Sequence, residues 1–203
     1  MTALVARVVE GLPGGALTLF EVADVDAALE RAIRTGARAP YGAVLWDAAP
    51  CVVAALASVQ LRGARVIELG CGTGLVSLAC ARAGATVLAT DVDELALEAA
   101  RRGAAHASLR LACAVFDVGA EDALPDAELL VAADLMYEPP LARALARRVA
   151  EQLARGGKAV VGDPGRIGRA DFEDELARRA QGLRPDFVAV VVGAHRADVA
   201  VVG

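Results

Sequence analysis

Short apolar runs alternate with amphipathic helical stretches over most of the chain, and this pattern begins near residue 65. The runs that predict β-strands cover residues 65–69, 86–90, 109–115, 128–133 and 158–161. Helical periodicity predicts helices over residues 75–82, 93–104, 141–155 and 171–180. Because the strand runs are apolar on both faces, they are typical of parallel strands buried between helical layers. The pattern therefore predicts a doubly wound α/β sheet.

The last apolar runs predict a strand pair at one edge of this sheet. Residues 187–192 and 197–202 are rich in valine, and only residues 193–196 join them. A connection of this length can join only antiparallel strands. We therefore expect a mixed sheet that is mostly parallel.

The front of the chain is expected to lie outside the parallel sheet. Residues 16–22 predict a short strand or extended arm, and Asp24 can cap a helix that ends at Gly36. A second helix is expected over about residues 47–59, with Asp47 as its cap. We predict a single domain over residues 1–203, with an extension over 1–60 and the sheet over 61–203.

Three glycines at alternate positions follow the first predicted sheet strand. Gly70, Gly72 and Gly74 allow positive φ angles and leave no Cβ between the backbone and a ligand at the start of the next helix. A dinucleotide-binding GxGxxG motif would need glycine where Leu75 stands, so that interpretation is weakened. A phosphate-binding loop needs a lysine here, and the only lysine of the chain is Lys158. The turn is thus a cradle for another nucleotide-like ligand.

Acidic residues follow the other predicted strands. Asp91 comes about 20 residues after the glycine turn, where a carboxylate can accept hydrogen bonds from both ribose hydroxyls. Its alternative role is to cap the helix that begins near Glu94. Asp117 follows the third sheet strand, and Asp134 and Tyr137 follow the fourth. In an open α/β sheet these strand ends meet at the ligand-binding edge.

Composition limits the kinds of partner and site. The 203 residues carry a net charge of -5 and only 3% aromatic residues, so nucleic acid is not an expected partner. The four cysteines form no CxxC motif, and His106 and His195 stand alone, so no metal site is expected. Free buried thiols are typical of the cytoplasm, the expected location. The uncharged run 48–61 is shorter than the ~20 residues of a membrane span, and no signal peptide is recognised, so no membrane association is expected.

The stretch from Glu68 to Gly74, ELGCGTG, with Asp91 at the next strand end, resembles the first motif of the seven-stranded S-adenosylmethionine-dependent methyltransferases. Three further stretches, LWDAA at 45–49, DLMY at 134–137 and GDPGR at 162–166, are similar to the family-16 protein lysine methyltransferases, which are marked by a DxxY motif. The similarity is greatest to the branch that methylates the electron transfer flavoprotein β subunit and to its bacterial relatives. The resemblance covers residues 40–165.

The resemblance implies a Rossmann-like sheet of seven strands, one of them antiparallel, with an N-terminal helical and extended section. It also implies S-adenosylmethionine as the cofactor, with S-adenosylhomocysteine as its product. The cofactor-binding residues that it implies are Trp46, Glu68, Gly70, Gly72, Gly74, Asp91, Val92, Asp117 and Ala133. Asp117 is expected to contact the adenine amino group, with a turn aspartate as the alternative. For Trp46 the alternative is a core anchor.

The resemblance makes Asp134 and Tyr137 the expected catalytic residues. Asp134 would hold the substrate ammonium by a charge-assisted hydrogen bond. Tyr137, one helical turn later, would accept a hydrogen bond or form a wall of a lysine channel. The expected substrate is a lysine of a protein, with the electron transfer flavoprotein β subunit as a candidate. A small-molecule amine is the main alternative, and a non-catalytic cofactor-binding scaffold is a further one.

Overall fold

Seven strands form one mixed sheet in the computed structural model, which describes residues 2–203. The strands of the chain are β1 (Leu4–Val9), β2 (Leu17–Val22), β3 (Arg65–Leu69), β4 (Thr86–Asp91), β5 (Ala112–Val115), β6 (Leu129–Ala133), β7 (Lys158–Asp163), β8 (Val188–Val192) and β9 (His195–Val202). The helices are α1 (Val25–Thr35), α2 (Ala48–Leu56), α3 (Leu75–Arg82), α4 (Glu94–His106), α5 (Pro139–Ala154) and α6 (Arg169–Arg179), with a 3₁₀ turn at Pro40–Ala43.

The strand order of the large sheet is β5-β4-β3-β6-β7-β9-β8. Strands β3 to β7 pair in parallel, and β9 runs antiparallel to both of its neighbours. The predicted doubly wound, mostly parallel α/β fold with one antiparallel strand is therefore confirmed. The strand order reverses between β3 and β6, which lie side by side with Glu68 opposite Val131. Open sheets of this type bind ligands beside such a reversal, at the carboxyl ends of the strands.

Helices cover both faces of the sheet because its strands are apolar on both sides. In β3, Val66 packs in a cluster with residues of α2 and α3, whereas Ile67 and Leu69 pack in a cluster with residues of α5 and α6. This division follows from the alternation of side chains along a strand. The sheet is consequently held between two apolar layers, and its carboxyl edge is left free for a site.

The front of the chain forms an antiparallel hairpin of β1 and β2 and a capped helix. The Asp24 side chain accepts a hydrogen bond from the Ala27 N–H, and α1 ends at Gly36 with a φ of 66°. The predicted strand and helix are confirmed, while β1 was not predicted because most of its side chains are exposed. Helix α2, which lies within the predicted extension, packs against β7, β8 and β9.

Two details of the predicted elements are wrong. Asp47 does not cap α2 with its side chain, and its carboxylate Oδ1 instead lies 2.8 Å from Nδ1 of His195. The third sheet strand is only β5, an edge strand with largely exposed side chains, rather than a buried strand over 109–115. Within residues 2–203, every helix is too short or too polar to cross a lipid bilayer.

Candidate active site

The glycine turn between β3 and α3 has the backbone conformation that its sequence predicts. Gly70, Gly72 and Gly74 have φ angles of 62°, 54° and 78°. A Cβ at Gly70 would lie 2.5 Å from the Leu135 side chain, and one at Gly74 would lie 2.6 Å from the Ala100 Cβ. Gly74 therefore serves the packing of α4 against the turn. Gly70 and Gly72 line a cavity at the carboxyl edge of the sheet.

Glu68 lies beneath this turn instead of in the cavity. The side chain is 2% exposed, and its Oε2 accepts hydrogen bonds from the Ser77 N–H at 2.8 Å and from the Ser77 hydroxyl. Burial raises the pKa of Glu68 to about 8. The predicted contact of Glu68 with a cofactor is thus corrected to an indirect role, in which the carboxyl ties the first turn of α3 to β3.

Substitution of Glu68 by Gln tests this burial through the pH dependence of stability. The folded-state pKa of about 8 lies above the usual value of 4.5; the folded protein therefore binds more protons between these values, and its stability falls as the pH rises through them. We expect the parent to lose stability relative to Glu68→Gln by about 1 kcal/mol per pH unit across this window. Thermal unfolding of both proteins from pH 5 to pH 9 measures the difference. A difference that stays constant over this range would contradict the assignment.

Asp91 joins the turn to the end of β4. Its Oδ2 accepts a hydrogen bond from the Gly72 N–H at 3.0 Å, and its Oδ1 accepts one from the Asp93 N–H at 2.9 Å. The N-cap of α4 is Asp93, which accepts from the Leu95 N–H, so the capping alternative for Asp91 is wrong. Burial raises the pKa of the Asp91 carboxyl, and these backbone N–H groups oppose that rise. Asp91 lines the cavity together with Gly72.

The cavity itself has a volume of about 560 Å³, within the range of ligand pockets. The predicted site residues that line it are Trp46, Gly70, Gly72, Asp91, Val92, Asp117, Ala133, Asp134 and Tyr137. Of the predicted set, only Glu68 and Gly74 lie outside it. The lining residues that the sequence did not assign include Arg38, Tyr41, Gly42, Phe116, Leu135, Glu138, Leu141 and Arg166.

One wall of the cavity is aromatic. Trp46 is 39% exposed, its Nε1–H donates to the Tyr41 carbonyl at 3.0 Å, and the two rings meet edge to face at 6.2 Å. The guanidinium of Arg166 lies 5.3 Å from the centre of the Trp46 ring. Trp46 is consequently a wall of the cavity, and the core-anchor alternative is wrong.

Asp117 comes shortly after the end of β5. Its Oδ1 accepts a hydrogen bond from the Gly119 N–H at 2.7 Å, which is the contact of a turn aspartate. The same residue lines the cavity next to Phe116 and Val118. Its predicted contact with an adenine amino group stays a prediction.

Asp134 has an unusual backbone and an incompletely paired carboxylate. Its φ is 63°, a left-handed conformation that aspartate adopts more readily than most residues. The side chain is buried, Oδ1 accepts a hydrogen bond from Arg166 Nε at 2.7 Å, and Oδ2 is buried without a hydrogen-bond partner among the described residues. Burial raises the pKa of Asp134, and Arg166 opposes this rise. A buried carboxylate oxygen without a donor is costly, so this atom is suited to accept a hydrogen bond from a ligand.

Tyr137 lines the same cavity but does not lie on a helix. Residues 134–138 form a loop, and α5 begins only at Pro139. The prediction that Tyr137 follows Asp134 by one helical turn is therefore wrong. Its side chain is 50% exposed, at the cavity surface, and burial of the remainder raises the pKa of the phenol.

Arg166 is the site residue that sequence analysis missed most clearly. It belongs to the GDPGR turn after β7, where Asp163 Oδ2 accepts hydrogen bonds from the Gly165 and Arg166 N–H groups at 2.8 and 3.0 Å. Asp163 is fully buried, so this turn directs Arg166 towards Asp134. The GDPGR motif indicates a turn after the strand. The contact of Arg166 with Asp134, however, joins residues that are 32 positions apart in the sequence.

Known proteins of similar sequence and fold are methyltransferases. A family described as "Methyltransferase domain" matches residues 66–157. The fold is similar to the Thermus thermophilus 16S rRNA N2 G1207 methyltransferase in complex with AdoMet and guanosine, with a TM-score of 0.68 and 19% identity over 98% of this chain and 51% of that one. It is also similar to the Synechocystis magnesium protoporphyrin IX methyltransferase with bound SAM, with a TM-score of 0.57 and 18% identity over 74% of each chain. Residues 66–157 thus match a methyltransferase domain, and the fold is similar to that of methyltransferases solved with S-adenosylmethionine bound.

Three of the similar proteins are lysine methyltransferases. The electron transfer flavoprotein β-subunit lysine methyltransferase of Xenopus laevis is 32% identical over 135 residues, covering 63% of this chain and 53% of the relative. That of Danio rerio is 30% identical over 147 residues, covering 70% and 55%. Protein N-lysine methyltransferase METTL21A of Danio rerio is 51% identical over 63 residues, covering 30% and 28%. The chain spans about half the length of the two flavoprotein-directed relatives.

Proposed function

We propose that this chain is an S-adenosylmethionine-dependent N-methyltransferase that acts on a lysine side chain of a protein. The observation that carries the proposal is Asp134, which lines the same cavity as the glycine turn and whose buried Oδ2 has no hydrogen-bond partner among the described residues. A cavity that contains both a glycine turn for a methyl donor and a carboxylate for an amine can bring these two reactants together. The similarity to lysine methyltransferases supports this acceptor.

The residues around the glycine turn fit the methyl donor. Gly70 and Gly72 line the cavity and have no side chain between the backbone and a ligand. In this proposal Asp91 accepts hydrogen bonds from the ribose hydroxyls, Asp117 contacts the adenine amino group, and Trp46, Val92 and Ala133 form walls. When bound, S-adenosylmethionine supplies a methyl group on a positively charged sulfur.

Asp134 is the residue that we propose to hold the amine. A lysine ammonium has a usual pKa of about 10.4, so it arrives charged and can donate a hydrogen bond to Oδ2. It must lose a proton to water before its nitrogen lone pair can take the methyl carbon. The bound S-adenosylmethionine would supply the methyl group and retain the electron pair of the carbon–sulfur bond that breaks. Orientation of the neutral amine is the main contribution of the protein to the rate.

The surface of the cavity suits a long cationic side chain. Tyr41, Trp46 and Tyr137 line it and are 44%, 39% and 50% exposed, so three aromatic side chains are accessible to a ligand. Such rings attract cations through their π-faces. A lysine on the surface of a protein substrate can enter between them, while the substrate itself stays outside.

The proposed substrate follows from the same relatives, and the proposed compartment follows from the cysteines. The electron transfer flavoprotein β subunit is a candidate substrate because two similar proteins carry its name. The four cysteines are free thiols, which supports a reducing compartment such as the cytoplasm.

Fractionation of transferred label tests the function. The purified chain, incubated with labelled S-adenosylmethionine and a cell lysate, is expected to place the label in protein. S-adenosylhomocysteine is expected to raise the melting temperature, whereas NADH is not. Label confined to metabolites would favour a small-molecule amine as the substrate, and donor binding without any transfer would favour a scaffold.

A further inference from the structure

Only one of the two oxygens of the Asp134 carboxylate has a hydrogen-bond partner among the described residues. Arg166 occupies Oδ1 through Nε at 2.7 Å, and Oδ2 is buried without a partner among the described residues. The arginine therefore leaves the hydrogen-bonding capacity of Oδ2 unused. It shares the carboxylate with the incoming ligand.

The charge of Asp134 poses a problem for amine methylation. A carboxylate next to an ammonium stabilises the charged form and raises the pKa of the amine. The nucleophile, however, is the neutral amine. A residue that only held the ammonium would bind the substrate well and slow its deprotonation.

The structure points to Arg166 as the residue that resolves this conflict. Resting on the function proposed above, we propose that Arg166 is a positioning residue: it orients Asp134 through Oδ1 and cancels its negative charge, so that the amine held by Oδ2 can release its proton. The amine proton goes to water, and Arg166 stays protonated because a guanidinium does not lose its proton in this pH range. No proton is transferred between Arg166 and Asp134.

The other charges around the pair make this cancellation necessary. The charged groups that act on Asp134, Arg166 or the neighbouring Tyr137 are Asp47 before α2, Asp91 of β4, Asp163 of β7, Glu138 before α5 and Arg38. Four of these five groups are acidic. Asp163 is itself paired with Arg169, so without Arg166 the acidic groups Asp47, Asp91 and Glu138 would outnumber Arg38 around Asp134 and Tyr137.

The position of Arg166 is fixed from two further directions. Its N–H donates to the buried Asp163, and its guanidinium lies over the Trp46 ring at 5.3 Å. Lysine lacks the planar group that both stacks on a ring and directs Nε to a carboxylate. Arg166→Lys therefore keeps the charge while loosening the geometry.

The pH dependence of kcat, which reports groups in the enzyme–substrate complex, tests this inference. It is measured at saturating donor, and at a saturating concentration of a protein that carries a lysine labelled by the parent chain, for the parent, Arg166→Gln and Arg166→Lys. In Arg166→Gln we expect the pH at which kcat rises to increase by about one unit, the scale for removal of one adjacent charge. High pH should then restore much of the rate of this variant. Arg166→Lys should keep the parent pH profile at a lower plateau. Arg143→Gln, which breaks a pair with Asp171 outside the cavity, should match the parent.

The outcomes separate this inference from the proposed function. If the parent transfers methyl groups to lysine but the profile of Arg166→Gln does not move, Arg166 has only a structural role and the inference is overturned. A lower melting temperature with a uniform loss of rate at every pH has the same meaning. If the parent transfers nothing to lysine, the proposed function itself fails.

Discussion

Asp134→Asn is expected to reduce methyl transfer by about 100-fold or more, the usual effect of losing a preorganised electrostatic contact, while affinity for S-adenosylhomocysteine changes little. Asparagine keeps the volume of the side chain, but it has no negative charge for the ammonium or for Arg166, which donates to Oδ1 at 2.7 Å. Calorimetry with S-adenosylhomocysteine and label transfer into lysate protein are measured on the same preparation.

The control for this variant is Asp171→Asn, which breaks a pair with Arg143 outside the cavity and should leave transfer intact. Melting temperatures of both variants show whether either is merely destabilised. Transfer by Asp134→Asn at nearly the parent rate with saturating donor would remove Asp134 from the proposed mechanism. Loss of donor affinity in parallel with transfer would instead make Asp134 a cofactor ligand.

Gly72→Val is expected to weaken S-adenosylhomocysteine binding by about 100-fold or more, equivalent to roughly 3 kcal/mol. Gly72 lines the cavity, has a φ of 54° and would place a Cβ 3.1 Å from the Gly42 carbonyl oxygen. A branched side chain there both strains the turn and occupies space that the ligand needs. Calorimetric titration of the variant measures the loss.

Gly63→Val separates the loss of space from the strain of the backbone. Gly63 has a φ of 81° with nothing within 4 Å of an added Cβ, and it lies outside the cavity lining. Gly63→Val therefore imposes similar backbone strain away from the site. This variant should bind S-adenosylhomocysteine as the parent does. Equal affinity losses in both variants would mean that global strain, not the cradle, explains the effect.

Most of the sheet could be predicted from the sequence because its signals are local. The strands from β3 to β7 are short apolar runs, and glycines or acidic residues mark their ends. The carboxyl ends of parallel strands meet at one edge, so the positions of Gly72, Asp91 and Asp134 along the chain predict that they lie near each other. All three line one cavity.

Contacts between distant parts of the chain could not be predicted in this way. Arg166 and Asp134 are 32 residues apart, and their pairing depends on the conformation of two loops. The glycine pattern also does not show that the Glu68 side chain lies beneath the turn and accepts a hydrogen bond from Ser77. A carboxylate at a strand end looks the same in sequence whether it faces a ligand or a helix N-terminus.

Arg148 shows the same limit on another surface. Helical periodicity over residues 141–155 predicts that it lies on a solvated charged face, but it is 2% exposed. Its guanidinium donates to the carbonyls of Val118, Ala120 and Asp122. The connection from β5 to β6 contains no helix, so its carbonyl groups need donors from elsewhere. Arg148 thereby holds the loop that carries Asp117 into the cavity.

The most direct test of lysine methylation is mass spectrometry of lysate proteins after incubation with isotopically labelled S-adenosylmethionine and the parent chain. The account predicts labelled methyl groups on lysine side chains, at sites that stay unlabelled when Asp134→Asn replaces the parent. Labelled methyl groups on other residue types, or equal labelling of the same lysines by parent and variant, would contradict it.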